Sequence, residues 1–358
     1  MTYKGYISIG LMSGTSMDGI DAAIITTDGG NIYSFGESVS VAYDNPTKEL
    51  IRSAINETAD IPEVEKELTR QHAKAVKLLL EKSGLSPLDI GVIGFHGQTI
   101  KHDPDNGITV QIGDGKLLAQ LTGINVVNDL RSNDVKNGGQ GAPLVPLFHK
   151  ALVKNSDISL PVAIVNIGGV ANITYIDENT IIAFDTGPGN ALIDDWILKN
   201  NAGSCDKNGQ YASNGDIDEE ILAELIGHPY FDKVPPKSLD RNDFNNNLID
   251  GLSLEDGAAT LSAFTISSII MAESHFPQKV NSWYICGGGR HNDFIMNGLR
   301  ATTEVAVHKI EELGLDGDMI EAQAFAYLAV RSLKNMPLTL PSTTGVKKPV
   351  SGGILNVA

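Results

Sequence analysis

Residues 9–21, Ile9-Gly10-Leu11-Met12-Ser13-Gly14-Thr15-Ser16-Met17-Asp18-Gly19-Ile20-Asp21, constrain this chain more than any other stretch. An apolar run from Tyr6 to Met12 gives way to small polar residues, and a second apolar run, Ile20 to Ile25, follows at once. The pattern predicts a β-hairpin whose turn is rich in backbone N–H and hydroxyl groups. Glycines there let main chain approach a ligand closely, and hydroxyls beside amides suit phosphate oxygens. Asp18 and Asp21 would repel a bare phosphate, which points to a bridging cation such as Mg²⁺. An ordinary hairpin turn is the competing reading of the same residues.

A chain of 358 residues has room for two domains. Its 42% hydrophobic content and 37 glycines fit a globular enzyme with many tight turns. A net charge of −17 argues against nucleic acid as a partner, yet leaves a nucleotide open, since amides and one metal can balance a triphosphate. Cys205 and Cys286 stand too far apart for a CxxC site and make no disulfide framework; both read as filler in a reducing compartment. No apolar run reaches the length of a membrane span, and the N-terminus enters a strand without a signal peptide. A cytoplasmic protein with no membrane partner is expected, with homodimerisation left open.

Along the chain, strands come first and then alternate with helices. Asp60-Ile61-Pro62-Glu63 opens a helix that runs to about Ser83, with Gly84 as its C-cap. Ile90 to Phe95 and Ile124 to Asn128 read as buried strands. Residues 164–175 repeat the opening theme of strand, small-residue turn and strand, so the two halves are expected to be related. Ser253 caps an apolar helix over 257–274, Trp283 to Cys286 is a strand, and Asp318 caps a last helix to about Asn335. Expected domain limits are 1–132 plus 340–358, and 133–339, with a hinge near 130–140.

No GxxxxGK[ST], GxGxxG or HExxH occurs. What remains is three Gly-rich turns, each directly after an apolar strand: residues 13–19, 168–172 and 287–289. Ligands bind at such strand ends in α/β folds, and together the turns favour nucleotide binding. Asp185 follows Ile181-Ile182-Ala183-Phe184 and is expected at the mouth of that strand, on the turn Thr186-Gly187-Pro188-Gly189-Asn190. A carboxylate there is either a general base or an Asx-turn residue satisfying its own loop. His96 is a ligand donor or a satisfied loop histidine. Arg131 is a fork for a substrate carboxylate or one half of a surface ion pair. Glu321 can simply close a capping box.

These motifs resemble the anhydro-N-acetylmuramic acid kinase family. The resemblance rests on Leu11 to Asp21, Phe95-His96-Gly97-Gln98-Thr99, Asn166-Ile167-Gly168-Gly169, Phe184 to Asn190 and Cys286-Gly287-Gly288-Gly289. The motifs fall in family order across essentially the whole chain, and Met17 stands where Leu is common. The resemblance implies two actin/hexokinase-like (ribonuclease H-like) α/β domains flanking a nucleotide cleft that closes on its ligands. It implies ATP and Mg²⁺, and an amino sugar whose 1,6-anhydro bond is hydrolysed as O6 takes the γ-phosphate, in the recycling of murein fragments. Under it, Gly14, Thr15, Ser16, Met17, Asp18, Gly19, Ile20 and Asp21 form the ATP loop, with Asp18 at the metal. Gly168, Gly169, Gly287, Gly288 and Gly289 also serve ATP, and Asp185 is the base. His96, Arg131, Asn190 and Glu321 bind substrate. A kinase for another amino sugar or polyol, or an ATPase switch of the same superfamily, are the rival expectations.

Overall fold

The computed structural model describes residues 5–14, 17–240, 243–244 and 247–358, so Thr15 and Ser16 of the first turn lie outside the described residues. The chain opens with β1 (Tyr6–Ser13), β2 (Gly19–Thr27), β3 (Ile32–Ala42), α1 (Asn45–Ile55), α2 (Ile61–Ser83), β4 (Val92–Asp103), β5 (Ile108–Ile112), α3 (Gly115–Thr122), β6 (Val126–Asn128), α4 (Ser132–Lys136) and α5 (Pro146–Lys154). It continues with β7 (Val162–Ile167), β8 (Val170–Ile176), β9 (Ile181–Pro188), α6 (Ala191–Lys199), α7 (Glu219–Ile226), α8 (Leu254–Met271), β10 (Ser282–Cys286), α9 (Asp293–Thr302) and β11 (Ala306–Lys309). It ends with α10 (Ile320–Leu333), α11 (Pro341–Thr344) and β12 (Ile354–Asn356).

Two units emerge: Met1–Asp157 with Met319–Ala358, and Ile158–Asp318. These limits differ from the expected 132/133 and 339/340. The second limit moves because α10 packs on β1, β2 and β4 and so returns the chain to the first unit some twenty residues early, and the first moves because α4 and α5 stay with that unit. The first unit's sheet runs β12-β6-β4-β1-β2-β3, with β5 on β4, and the second unit's runs β11-β10-β7-β8-β9. In both, an antiparallel three-strand meander is followed by strands parallel to its first member: β4 to β1, and β10 to β7. With the hairpin strand β5 and the edge strand β12 set aside, the halves share one strand order, β3-β2-β1-β4-β6 in the first and β9-β8-β7-β10-β11 in the second, as the repeated hairpin theme led us to expect.

Local chemistry explains most element ends. Asp60 precedes α2 without a side-chain cap bond; Pro62 sits in its first turn, and Gly84 closes it at φ 69°. The Ser253 hydroxyl accepts the Asp256 N–H at the start of α8. The expected Asp318 cap does not form: α10 starts after Met319 with no side-chain cap and no capping box through Glu321. The Asp318 carboxylate is drawn instead to the guanidinium of Arg290 at 2.6 Å.

A backbone-to-backbone seat fixes α10 on the first sheet. Gly10 and Gly94 are register partners on the parallel strands β1 and β4. A Cβ on Gly10 would lie 1.7 Å from the Ala322 carbonyl oxygen, and one on Gly94 would lie 2.0 Å from that of Phe325. Ser8 beside them donates its hydroxyl to the Ala326 carbonyl at 2.9 Å.

The first unit also buries imidazoles. Burial holds His72 down to about 4 and His149 to about 3, from an ordinary 6.5. Folding keeps both rings neutral, whereas the unfolded chain protonates them below pH 6.5. Their contribution is thus complete above pH 6.5 and is lost as pH falls from 6.5 towards about 4. Each ring can cost about 1.4 kcal/mol per pH unit in that window. A lower urea midpoint at pH 5 than at pH 7 is expected; equal midpoints would contradict this.

Candidate active site

In the first unit, the β1–β2 turn is held from its flank by the middle of β4. The Ser13 hydroxyl donates to the Gly97 carbonyl at 3.0 Å, and the Gln98 amide donates to the Gly14 carbonyl at 3.1 Å. Met17 sits at φ 58°, a left-handed conformation that turns the chain back into β2. Asp18 is exposed beside it. Asp21 lies on β2, and Ser40 on β3 donates its hydroxyl to that carboxylate. Ile20 is fully buried in the core, so of the expected ATP-loop residues it can offer only its main chain.

His96 and Arg131, chosen separately from the sequence, are brought together. The His96 Nδ1–H donates to the Gly97 carbonyl at 2.8 Å, and its Nε2 accepts the Arg131 Nε–H at 3.1 Å. Burial and the neighbouring guanidinium hold the ring neutral, well below its usual titration. Arg131 also donates to the Gly141 carbonyl at 2.7 Å, so its guanidinium is half-buried and held in one orientation. Glu321 lies in the first turn of α10, partly exposed.

In the second unit, the polar residues gather at one end of the sheet, beyond the carboxyl ends of β7, β9 and β10. Asn190 clamps the β7–β8 turn: its amide donates to the Ile167 and Gly168 carbonyls at 3.1 Å each, and its own N–H donates to Gly168. Gly169 accepts the N–H groups of Gly189 and Ala191. Both amide bonds of Asn190 go to this turn, so its observed work is to shape it. The turn after β10 packs onto the same end. Gly287 has φ 75°, and a Cβ there would lie 2.2 Å from Asn166 Oδ1. Gly288 is exposed, and only the Asn190 amide, at 3.7 Å, would meet a Cβ on it. Arg290, almost fully buried, braces the turn by donating to the Gly287 carbonyl at 3.0 Å while pairing with Glu311 and Asp318 at 2.6 Å each. The sequence reading missed this residue.

Asp185 departs from its expected position. β9 does not stop at Phe184 but runs to Pro188, so Asp185 lies within the strand, opposite Asn172, and is 6% exposed. A bulge follows at once: Thr186 and Gly187 stand against the single step from Asn172 to Ala171. Bulges re-aim side chains next to active sites. The carboxylate does more than satisfy its own loop, because it reaches across the fold and accepts the Leu239 N–H at 2.9 Å. The backbone of Asp185 is clamped as well: its N–H donates to the Lys237 carbonyl at 3.0 Å, and its carbonyl accepts the Tyr230 hydroxyl. Lys237 in turn donates to the Tyr230 carbonyl and is held down to about 8 by burial and by Lys233. Beside β9 is a pocket of about 60 Å³ lined by Phe184, Thr186, Lys237 and Ser268, far smaller than a nucleotide needs.

One strand order in both units, with a hairpin turn containing glycine in each, makes this an α/β protein of two related halves. The anhydro-N-acetylmuramic acid kinase family profile matches residues 6–357. A curated anhydro-N-acetylmuramic acid kinase from Rhodospirillum rubrum is 48% identical over 353 residues, covering 97% of this chain and 93% of the relative. Another, from Methylobacterium nodulans, is 47% identical over 368 residues, covering 97% and 98%. Component A of (R)-2-hydroxyglutaryl-CoA dehydratase from Acidaminococcus fermentans is a similar solved structure, with TM-score 0.49 and 11% identity over 92% of this chain and 99% of that one. The chain belongs to the anhydro-N-acetylmuramic acid kinase family.

Proposed function

We propose that this chain is an ATP-dependent kinase that hydrolyses the 1,6-anhydro ring of 1,6-anhydro-N-acetylmuramic acid and phosphorylates O6, giving N-acetylmuramate 6-phosphate. The family match over residues 6–357 carries the reading, and the clamped Asp185 supports its chemistry. A water attacks C1 on the face opposite O6 and gives a proton to Asp185. The C1–O6 bond breaks, and O6 attacks the γ-phosphorus as ADP leaves. One carboxylate suffices, because phosphoryl transfer to O6 takes the place of protonating the leaving oxygen. The Leu239 N–H holds the carboxylate in one orientation, so no reorganisation is needed as the water loses its proton.

The remaining roles follow the turns. Gly14 and Met17 to Asp21 serve the ATP phosphates, as do Gly168 and Gly169; Gly287 to Gly289 serve the adenosine. Arg131 meets the sugar with its guanidinium oriented by His96, whose two ring nitrogens are already bonded, and Glu321 adds a carboxylate to the same task. Among the described residues no group of three His, Cys, Asp or Glu forms a metal cage. Kinases hold Mg²⁺ by one or two carboxylates plus substrate phosphates, and the exposed Asp18 carboxylate fits that donor set. Mg²⁺ bound there would balance the charge that spreads over the phosphoryl oxygens. Supply of ATP places the work in the cytoplasm, and no helix among the described residues is long and apolar enough to cross a membrane.

ADP release should depend on the anhydro sugar, with glucose, N-acetylglucosamine and glycerol giving at most background. Equal turnover on any of these would favour the rival kinases, and sugar-independent ATP hydrolysis would favour the switch. For the phosphate turn, Gly14→Val should crowd the backbone and weaken ATP binding at least about tenfold, with the fold retained. Calorimetry giving wild-type ATP affinity in a folded variant would remove Gly14 from the site.

A further inference from the structure

We infer that Asn172 is a further catalytic residue, which holds the attacking water jointly with Asp185. This rests on the assignment of Asp185 as the base. Three polar side chains form one row across the second sheet: Asn166 on β7 is the register partner of Asn172 on β8, which is the register partner of Asp185 on β9. Directly opposed residues of antiparallel strands project from the same face, with Cβ atoms about 4.5–5.5 Å apart.

The opposite face of these strands carries Val165, Ile167, Ala171, Ile173 and Phe184 into the apolar core. A polar row is therefore not what this strand interior needs for packing. The Asn172 Oδ1 atom is buried and accepts no hydrogen bond, and none joins it to Asp185. An unpaired buried acceptor costs about 1–3 kcal/mol, so such an atom in a folded protein calls for a specific explanation.

The pairing itself supplies one. Asp185 and Asn172 Oδ1 both accept hydrogen bonds, and two facing acceptors are joined by a molecule with two donors. Water is the smallest, and polar groups too far apart for direct bonding are commonly bridged that way. A water donating one hydrogen to Asp185 and the other to Asn172 has its lone pairs turned away from both, available to C1. The proton passes to Asp185 as the O–C1 bond forms, while Asn172 fixes the water's second hydrogen and takes none. The bulge immediately after Asp185 sets the orientation of the pair, since it takes up one residue before β8 and β9 resume pairing at Ala171 and Gly187.

Kinetics of Asn172→Ala, Asn172→Asp and Asp185→Asn, each beside wild type, test the assignment. Asn172→Ala removes the acceptor and should lower kcat about 10–100-fold, with the KM for the sugar and the melting temperature close to wild type, as expected for lost orientation of a reacting water. Asn172→Asp keeps an acceptor of the same size and should recover part of that kcat. Wild-type kcat in Asn172→Ala overturns the role. So does a raised KM at unchanged kcat, which would mark a sugar-hydroxyl contact, or a loss that tracks melting temperature. An inactive Asp185→Asn beside a normal Asn172→Ala removes only the Asn172 role, whereas an active Asp185→Asn removes the base assignment and the inference with it.

Discussion

Asp185→Asn is expected to lower kcat by about 10²–10⁴-fold, the usual yield of general base catalysis, while leaving the fold intact. The amide oxygen of asparagine still accepts the Leu239 N–H, and the two backbone clamps, to Lys237 and from Tyr230, do not involve the side chain. Geometry is preserved and only proton acceptance is lost. Melting temperature and sugar KM should therefore change little. Retention of more than about a tenth of wild-type kcat would take the base role from Asp185.

The second large effect is on stability. Gly10→Ala inserts a methyl where the Ala322 carbonyl oxygen lies 1.7 Å away and the Ala326 nitrogen 2.5 Å away. Both obstacles are helix backbone, which cannot rotate aside as a side chain would. Overpacking a core costs about 1–3 kcal/mol, occasionally more, and this site belongs at the upper end. For a unit of this size, about 3 kcal/mol corresponds to a fall of roughly 6–12 °C in melting temperature. Gly30→Ala in the same unit, where the nearest atom is a side-chain oxygen at 3.4 Å, should shift it by no more than about 2 °C. A melting temperature for Gly10→Ala equal to that of Gly30→Ala would mean that α10 is not seated on Gly10 as described.

The elements that sequence made legible were those whose signals are local. The β1–β2 and β7–β8 hairpins announce themselves by apolar runs broken by small residues, α2 by Pro62 and Gly84, and α8 by Ser253. What stayed hidden depends on partners distant in sequence. Asp318 has the composition of an N-cap, yet a buried guanidinium 28 residues earlier outcompetes an exposed helix end for its carboxylate. Asp185 resembles a turn residue because Gly187, Pro188 and Gly189 follow it. Pairing with β8 carries the strand through them to Pro188, and the carboxylate's acceptor role is met 54 residues downstream. Asn172 gives no sequence signal beyond its place in a hairpin, since its meaning comes from the register that sets it opposite Asp185. His96 and Arg131 were each ambiguous alone, and their contact at 3.1 Å turns two isolated choices into one polar unit.

The central claim is that one reaction joins water attack at C1 to phosphoryl transfer onto O6. Incubation with ATP, Mg²⁺ and 1,6-anhydro-N-acetylmuramic acid in ¹⁸O water, followed by mass spectrometry, tests it directly. The account predicts one ¹⁸O at the anomeric position of the product and none in its phosphate group. Label in released inorganic phosphate, with the anhydro sugar unchanged, would contradict it.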